Sequence, residues 1–272
     1  LREKTGAGMM DCKRALGEAS GDYEKAVEVL RKKGLADAAK KGARTTKEGL
    51  VAAFTSADGR AGALIELDCE TDFVAKTEEF QKLAGGLAEK AADGSLASVE
   101  AGGPLITAAI AKLGENIVFK RLERFELSGP GLLAQYIHTS GGKKGAMVQL
   151  SCATDEAAKS PAAAELAKEL ALQITAMSPR WLSRAAVPPS EVDKERDIYA
   201  TVVRQEGKPE AAVAKIIEGK LNKLFFKAFC LLDQLSMRDN KTPMSKLLDD
   251  ASAKAGGKIE VTRFIRYQLG GE

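Results

Sequence analysis

The sequence predicts an α+β fold: an N-terminal three-helix bundle, then a duplicated antiparallel β-β-α-β core with an antiparallel helical hairpin inserted in its second copy. Three observations lead there. Short apolar stripes broken by glycines fill the stretch before Arg44. A pattern that starts at Gly49 returns at Gly131. Two long amphipathic runs flank Gly207-Lys208-Pro209. The expected divisions are residues 1–44 for the bundle and a basic linker, 45–129 for the first core copy, and 130–272 for the second, with the hairpin at about 189–232.

Leu1-Arg2-Glu3-Lys4 reads as a helix end and Thr5-Gly6-Ala7-Gly8 as the break after it. Met9–Ala19 is the next helix, with Met9, Cys12, Ala15 or Leu16, and Ala19 on one stripe. A third helix lines up Tyr23, Ala26, Val27 and Leu30, and Gly34 reads as its C-cap. A bundle this small has a thin core. It either caps the main domain or presents the Thr5–Met10 loop to a partner, a task for which methionine is suited. Lys32, Lys33, Lys40, Lys41 and Arg44 read as a solvated basic tether.

The duplication is the most informative feature of the chain. Gly49-Leu50-Val51-Ala52-Ala53-Phe54 parallels Gly131-Leu132-Leu133-Ala134-Gln135-Tyr136. Gly62–Cys69 parallels Gly145–Cys152, and Thr71-Asp72 parallels Thr154-Asp155. Arg121–Phe125 parallels Arg263–Tyr267. Each copy therefore reads as hairpin, helix, strand, with turns at Ser56–Gly59 and Ser140–Gly142. The covering helices are expected at about Thr71–Ala92 and Pro161–Met177, and a short helix at Leu105–Leu113 precedes the last strand of the first copy.

The corner Glu66–Lys76 joins a strand to a helix and places an acid and an aromatic, Asp72 and Phe73, side by side at a helix start. Such starts protrude and suit polar tasks. Two readings of Phe73 stand. It fits a buried stripe with Phe80, Leu83, Leu87 and Ala91, behind Thr71 as N-cap. Yet the second copy has Glu156 in its place, which favours a task outside the shared packing. Cys69 and Cys152 hold equivalent positions and read as strand-end packing.

Pro188-Pro189-Ser190 opens a helix to about Glu206, and a second runs from Glu210 to about Leu232. Val192, Tyr199 and Val202 are expected to face Val213, Ile217, Leu221 and Leu224 in a hairpin that serves as a spacer or as a clamp on a partner. Thr242–Ala255 supplies a helix and Ile259–Leu269 the closing strand. Trp181 reads as packing.

Of the 272 residues, 44% are hydrophobic and 29% charged, as in ordinary globular proteins. The net charge of +3 is too small to argue for a nucleic-acid partner, and no apolar run is long enough to span a bilayer. No signal peptide is seen, and Leu1 in place of Met leads to the expectation that a few N-terminal residues are removed or unseen, which would hide any transit peptide. Four scattered cysteines and one histidine argue for free thiols and against zinc. No phosphate loop and no GxGxxG follows a strand, and no Ser/His/Asp set is convincing. His138 ends a strand-like run and reads as core or interface. With aromatics at 5% there is no stacking platform for single strands. The chain is thus expected to be a binding protein and not an enzyme.

Two stretches, Leu1–Leu16 and Cys69-Glu70-Thr71-Asp72-Phe73-Val74-Ala75-Lys76, closely resemble the bacterial-type translation elongation factor Ts family. The similarity extends over nearly the whole chain, including Ile217-Glu218-Gly219-Lys220 and the final strand; Leu224–Phe229 departs from the family pattern. The resemblance implies a ubiquitin-associated-like bundle and a guanine-nucleotide exchange factor for elongation factor Tu, GDP-bound and nucleotide-free. It implies that Asp72 and Phe73 intrude beside the partner's magnesium site, with further contacts through Thr5, Gly6, Met9, Met10, Lys13, Thr71, Val74 and His138. It implies no cofactor, no metal, no direct nucleotide binding, no membrane and no required nucleic acid. The bacterial cytoplasm is the expected location, with mitochondrial matrix and plastid stroma left open. The alternative is an RNA- or ribosome-associated binding protein using the basic linker and Arg121, Arg124, Arg263 and Arg266, although those arginines read more simply as a solvated sheet face.

Overall fold

The structure, a computed structural model, describes residues 1–5, 7–206 and 209–271. It is α+β, with N-terminal helices and two three-stranded sheets. The chain divides into two compact units. One comprises Leu1–Glu126, Ile137–Gly145 and Tyr267–Glu272, and the other Leu127–Tyr136 and Ala146–Arg266.

In the first unit, α1 (Arg2–Thr5), α2 (Met9–Glu18) and α3 (Tyr23–Lys41) close over Cys12, Ala15, Ala19, Ala26 and Leu30. Asp22 caps α3 through its carboxylate and the Lys25 N–H. Two expectations are corrected here. Met9 is not on the buried stripe, and it and Met10 are each 67% exposed. Gly34 does not end its helix, because α3 runs on to Lys41, and most of the supposed tether is helical. Gly34 is buried in that helix, where a Cβ would lie 3.5 Å from the Ala111 Cβ, so its small size serves helix packing.

The first sheet has the order β1 (Glu48–Thr55), β2 (Ala61–Cys69), β3 (Ile117–Glu126), antiparallel throughout. β2 is buried along nearly its whole length, as a central strand with both faces covered must be. The expected single helix after it is two. α4 (Asp72–Ala75) stops at Lys76, and α5 (Glu78–Ala92) starts afresh with Thr77 as its N-cap. Phe80, Ala84, Leu87, Ala88 and Ala91 of α5 join Ala63, Ile65 and Leu67 of β2 in one core. α6 (Gly103–Leu113) adds Ile106 and Ile110 and ends at Gly114, whose φ of 81° is a left-handed cap.

Of the four strand arginines only Arg263 is exposed; Arg121, Arg124 and Arg266 are half-buried and not a solvated row. A bulge opposite Glu66 and Leu67 places both Lys120 and Arg121 against the fully buried Glu66 carboxylate. Arg124 donates to the Ala92 carbonyl and pairs with Glu126. A buried charge must be paired, and Lys120 and Arg121 supply that pairing for Glu66.

The second sheet has the order β4 (Gly131–Ile137), β5 (Lys144–Cys152), β6 (Ile259–Gln268). In the second unit, α7 (Asp155–Ala158) and α8 (Pro161–Met177) repeat the pair after β2, and α12 (Met244–Ala255) packs beside α8. Their core holds Val148, Leu150, Leu166, Leu170, Ile174 and Met244. Arg266 donates to the Thr175 carbonyl.

The hairpin is α9 (Pro189–Gln205) and α10 (Glu210–Lys220), followed by a π-helical stretch at Leu221–Phe226 and α11 (Lys227–Phe229). The expected turn at Gly207 and Lys208 lies outside the described residues. The expected contact face is corrected at two positions: Val203 is buried where Val202 was expected, and Phe225 where Leu224 was. The wider π turn shifts the register of side chains after Leu221, which leaves Leu224 55% exposed. Trp181 packs against Phe225 and Phe229 at ring separations of 5.7 and 6.4 Å.

Candidate functional site

At Cys69 the chain leaves the sheet and turns through Glu70 and Thr71 into α4. Thr71 is extended (φ −126°, ψ 152°), and its hydroxyl oxygen accepts the Val74 N–H at 3.3 Å. A one-turn helix has little stability of its own. This one is held by that cap, by Val74 and Ala75 packed on the first core, and by the Thr77 hydroxyl donating to the Val74 carbonyl at 2.7 Å.

Between the half-buried Asp72 and Val74, Phe73 points away from the core. It is 79% exposed, more than any other large apolar side chain among the described residues. Phe80, Phe119 and Phe125 are all buried. Asp72 Oδ2 accepts from Lys76 Nζ at 2.6 Å. That hydrogen bond, and then the positive charges of Lys76 and Lys143, hold the Asp72 carboxyl below its ordinary range. The same bond raises Lys76.

A second acid sits behind the corner. Glu115, in the loop between α6 and β3, accepts the Glu70 and Thr71 N–H groups through Oε2 at 3.1 and 3.0 Å, and the Thr71 hydroxyl through Oε1 at 2.6 Å. In return, Glu70 Oε1 accepts the Asn116 N–H at 2.6 Å and pairs with Arg44, whose carbonyl accepts from Asn116 Nδ2 at 2.8 Å. The Asn116 bond is the first cause that lowers the Glu70 carboxyl. Charge-assisted bonds of this kind are among the stronger ones in proteins.

The turn after β4 lies beside the corner, in the same unit. The Val51 N–H donates to the Gly142 carbonyl at 2.8 Å, and Lys143 pairs with Glu48 at 2.5 Å. Asp72, Lys76, Thr139 and Lys143 line one cleft of about 360 Å³. His138, half-buried, lines another of about 440 Å³ with Lys47, Lys143 and Lys144. Asp72 and His138, far apart in sequence, thus line two clefts that share Lys143.

Thr5, Met9, Met10 and Lys13 belong to the N-terminal helices and not to this corner. The Thr5 hydroxyl donates to the Leu1 carbonyl at 2.9 Å, and Lys13 is exposed. Gly6 lies outside the described residues. Sequence reasoning missed Glu115, Asn116 and Lys143. The first two could have been found by extending the repeat, because Glu115-Asn116 falls opposite Gly257-Lys258 and so marks another place where the copies differ.

The arrangement offers a projecting aromatic beside a carboxylate, braced from behind. The thiol at the corner is not an activated nucleophile, because burial pushes Cys69 up to about 12. Among the described residues no group of three or more His, Cys, Asp or Glu side chains is placed to hold a metal ion, and no helix is long and apolar enough to cross a membrane.

Comparison with known proteins agrees in one family. The family model described as elongation factor TS matches residues 70–271. The elongation factor Ts of Clostridium perfringens is 45% identical over 281 residues, covering 99% of this chain and 90% of that protein. That of Nitratidesulfovibrio vulgaris is 46% identical over 270 residues, with 99% and 93% covered. That of a Nitratiruptor species is 42% identical over 280 residues, with 99% and 90% covered. With a braced Asp-Phe corner and similarity along almost its full length, the chain belongs to the elongation factor Ts family.

Proposed function

We propose that this chain is a guanine-nucleotide exchange factor that binds elongation factor Tu carrying GDP and promotes GDP release during translation elongation, in the cytoplasm. Membership in the family supports the role. The observation that carries the mechanism is the exposure of Phe73 beside Asp72 on a fixed corner. In this reading the corner enters beside the partner's magnesium and phosphate site. Asp72 adds negative charge where the cation and phosphates balance each other, and the Phe73 ring displaces the partner's packing. Thr71 and Val74 hold the corner, while His138, Thr5, Gly6, Met9, Met10 and Lys13 supply further contacts. The chain performs no covalent chemistry and binds no nucleotide, metal or nucleic acid for this purpose.

The magnitudes require an extended interface. Acceleration of about ten-thousand-fold needs roughly 5.5 kcal/mol of differential interaction. Burying one Phe contributes only about 1.5–3 kcal/mol. Phe73 therefore acts with the turn at His138–Lys143 and with the bundle. Of the arginines in the RNA-bound alternative, Arg121, Arg124 and Arg266 are engaged with protein groups, while Arg263 is exposed and donates to Gln149.

Linkage gives the test. If the chain weakens GDP binding by some factor, GDP weakens binding of the chain by the same factor. Titration calorimetry of the chain into elongation factor Tu, nucleotide-free and then saturated with GDP and magnesium, is expected to show far weaker binding in the second case. Equal affinity in both would defeat the proposal.

A further inference from the structure

We infer that Glu115 is a positioning residue for exchange: its carboxylate clasps the Glu70–Thr71 backbone and so fixes the direction in which Phe73 projects. The inference rests on the exchange reading above and goes beyond it, because Glu115 itself lies behind the corner.

Three bonds converge on this one carboxylate, two from backbone N–H groups and one from the Thr71 hydroxyl. These are the groups that a strand leaves unsatisfied where it departs from its sheet. Thr71 is also the N-cap of α4, and its hydroxyl serves both Glu115 and the Val74 N–H. Holding Thr71 therefore sets the axis of a helix only four residues long, and Phe73 is the second of those residues. An aromatic that must insert into a partner gains from being held in place beforehand, since no ordering remains to be done at the moment of docking.

The second copy is an internal control. It has the same Thr cap, Thr154 to the Ala157 N–H, and the same one-turn helix. Gly256 ends α12 as Gly114 ends α6, both with positive φ. There the likeness stops. Gly257 stands where Glu115 does, and a Cβ on it would lie 3.2 Å from the Ala157 Cβ, so no side chain fits without displacement. Ala153 stands where Glu70 does, and its N–H donates to a backbone carbonyl, that of Lys258. The clasp is thus not needed to make this fold. It occurs in the copy whose corner presents an exposed Phe and is missing from the copy with Glu156 in that place.

The experiment measures release of fluorescent GDP from elongation factor Tu at rising concentrations of the full chain, with Glu115→Ala, Glu115→Gln, Phe73→Ala and the Phe73→Ala/Glu115→Ala pair. Glu115→Ala is expected to lower the maximal rate about tenfold, the equivalent of about 1.4 kcal/mol, with the half-saturating concentration changed less than about twofold. Glu115→Gln keeps an acceptor and the shape, and is expected to stay within about threefold of the wild type. In the Phe73→Ala background, Glu115→Ala should add nothing. Should Glu115→Ala fail to fold, Thr71→Val stands in at constant volume, removing both the hydroxyl arm to Glu115 and the cap on the Val74 N–H, with a loss of at least about threefold expected, again absent without Phe73. A wild-type maximal rate in Glu115→Ala, or in Thr71→Val where that stands in, overturns the inference, as does an equal loss with and without Phe73. No acceleration by the wild type overturns the exchange reading and this inference with it; acceleration by the wild type and Glu115→Ala alike overturns this inference alone.

Discussion

Lys76 Nζ lies 2.6 Å from Asp72 Oδ2, one helical turn away, so the acid of the exposed corner already has a base beside it. Both groups are solvated, and the pair sets charge more than stability. Lys76→Ala is expected to move the Asp72 carboxyl back up toward its ordinary value of 3.8, read by NMR titration, with no change in thermal midpoint. The sign follows from the depressed value: the contribution is present above the ordinary range and disappears as pH falls through the folded one. Asp72 is therefore ionised at neutral pH with or without Lys76. An Asp72 titration that ignores the substitution would contradict the pairing.

The buried acids of β2 predict a pH effect on stability. Burial first, and then the charge of Glu66, pushes the Asp68 carboxyl up to about 7, against the opposing pull of Lys120 at 3.9 Å. Asp68 Oδ1 is buried and has no hydrogen-bond partner among the described residues. A raised carboxyl binds its proton more tightly folded than unfolded, so its contribution is full below the ordinary range and disappears as pH rises through about 7. Asp68→Asn is expected to be the more stable form by about 1–3 kcal/mol at about pH 8, with the gap closing toward about pH 4. Urea unfolding at the two pH values checks this, and a gap independent of pH would contradict it.

Two glycines predict opposite outcomes for one substitution. At Gly34, inside α3, a Cβ meets only the Ala111 Cβ at 3.5 Å, an ordinary contact. Gly34→Ala is expected to raise stability by about 0.5–1 kcal/mol through helix propensity. At Gly102 a Cβ would stand 2.8 Å from the Phe119 ring. Gly102→Ala is expected to cost about 1–3 kcal/mol by overpacking. Thermal melts of the two variants should move in opposite directions.

The repeat made both sheets, their turns and the covering helices legible, because period-two strands and the matched Thr71-Asp72 and Thr154-Asp155 pairs recur at fixed spacing. The exposure of Phe73 was not decided by pattern, since its spacing from Phe80 also suits a buried stripe. The fresh helix start at Thr77 broke that stripe, and a threonine cap inside an apolar run carries only a weak signal. Gly34 was misread for a related reason: glycine ends helices and also admits close neighbours, and only α6 packed against α3 tells which. Lys143 could not be joined to Asp72 from sequence, because their nearness depends on how the turn after β4 docks on β1.

In the proposed function the exposed ring of Phe73 drives GDP release. Release of fluorescent GDP from elongation factor Tu, with the wild-type chain and with Phe73→Ala, tests it most directly. The account predicts strong acceleration by the wild type and a loss of roughly 10- to 150-fold in the variant, the equivalent of about 1.5–3 kcal/mol. Folding stability should be unchanged, because the ring is 79% exposed. Equal acceleration by both chains, each shown to be folded, would contradict the account.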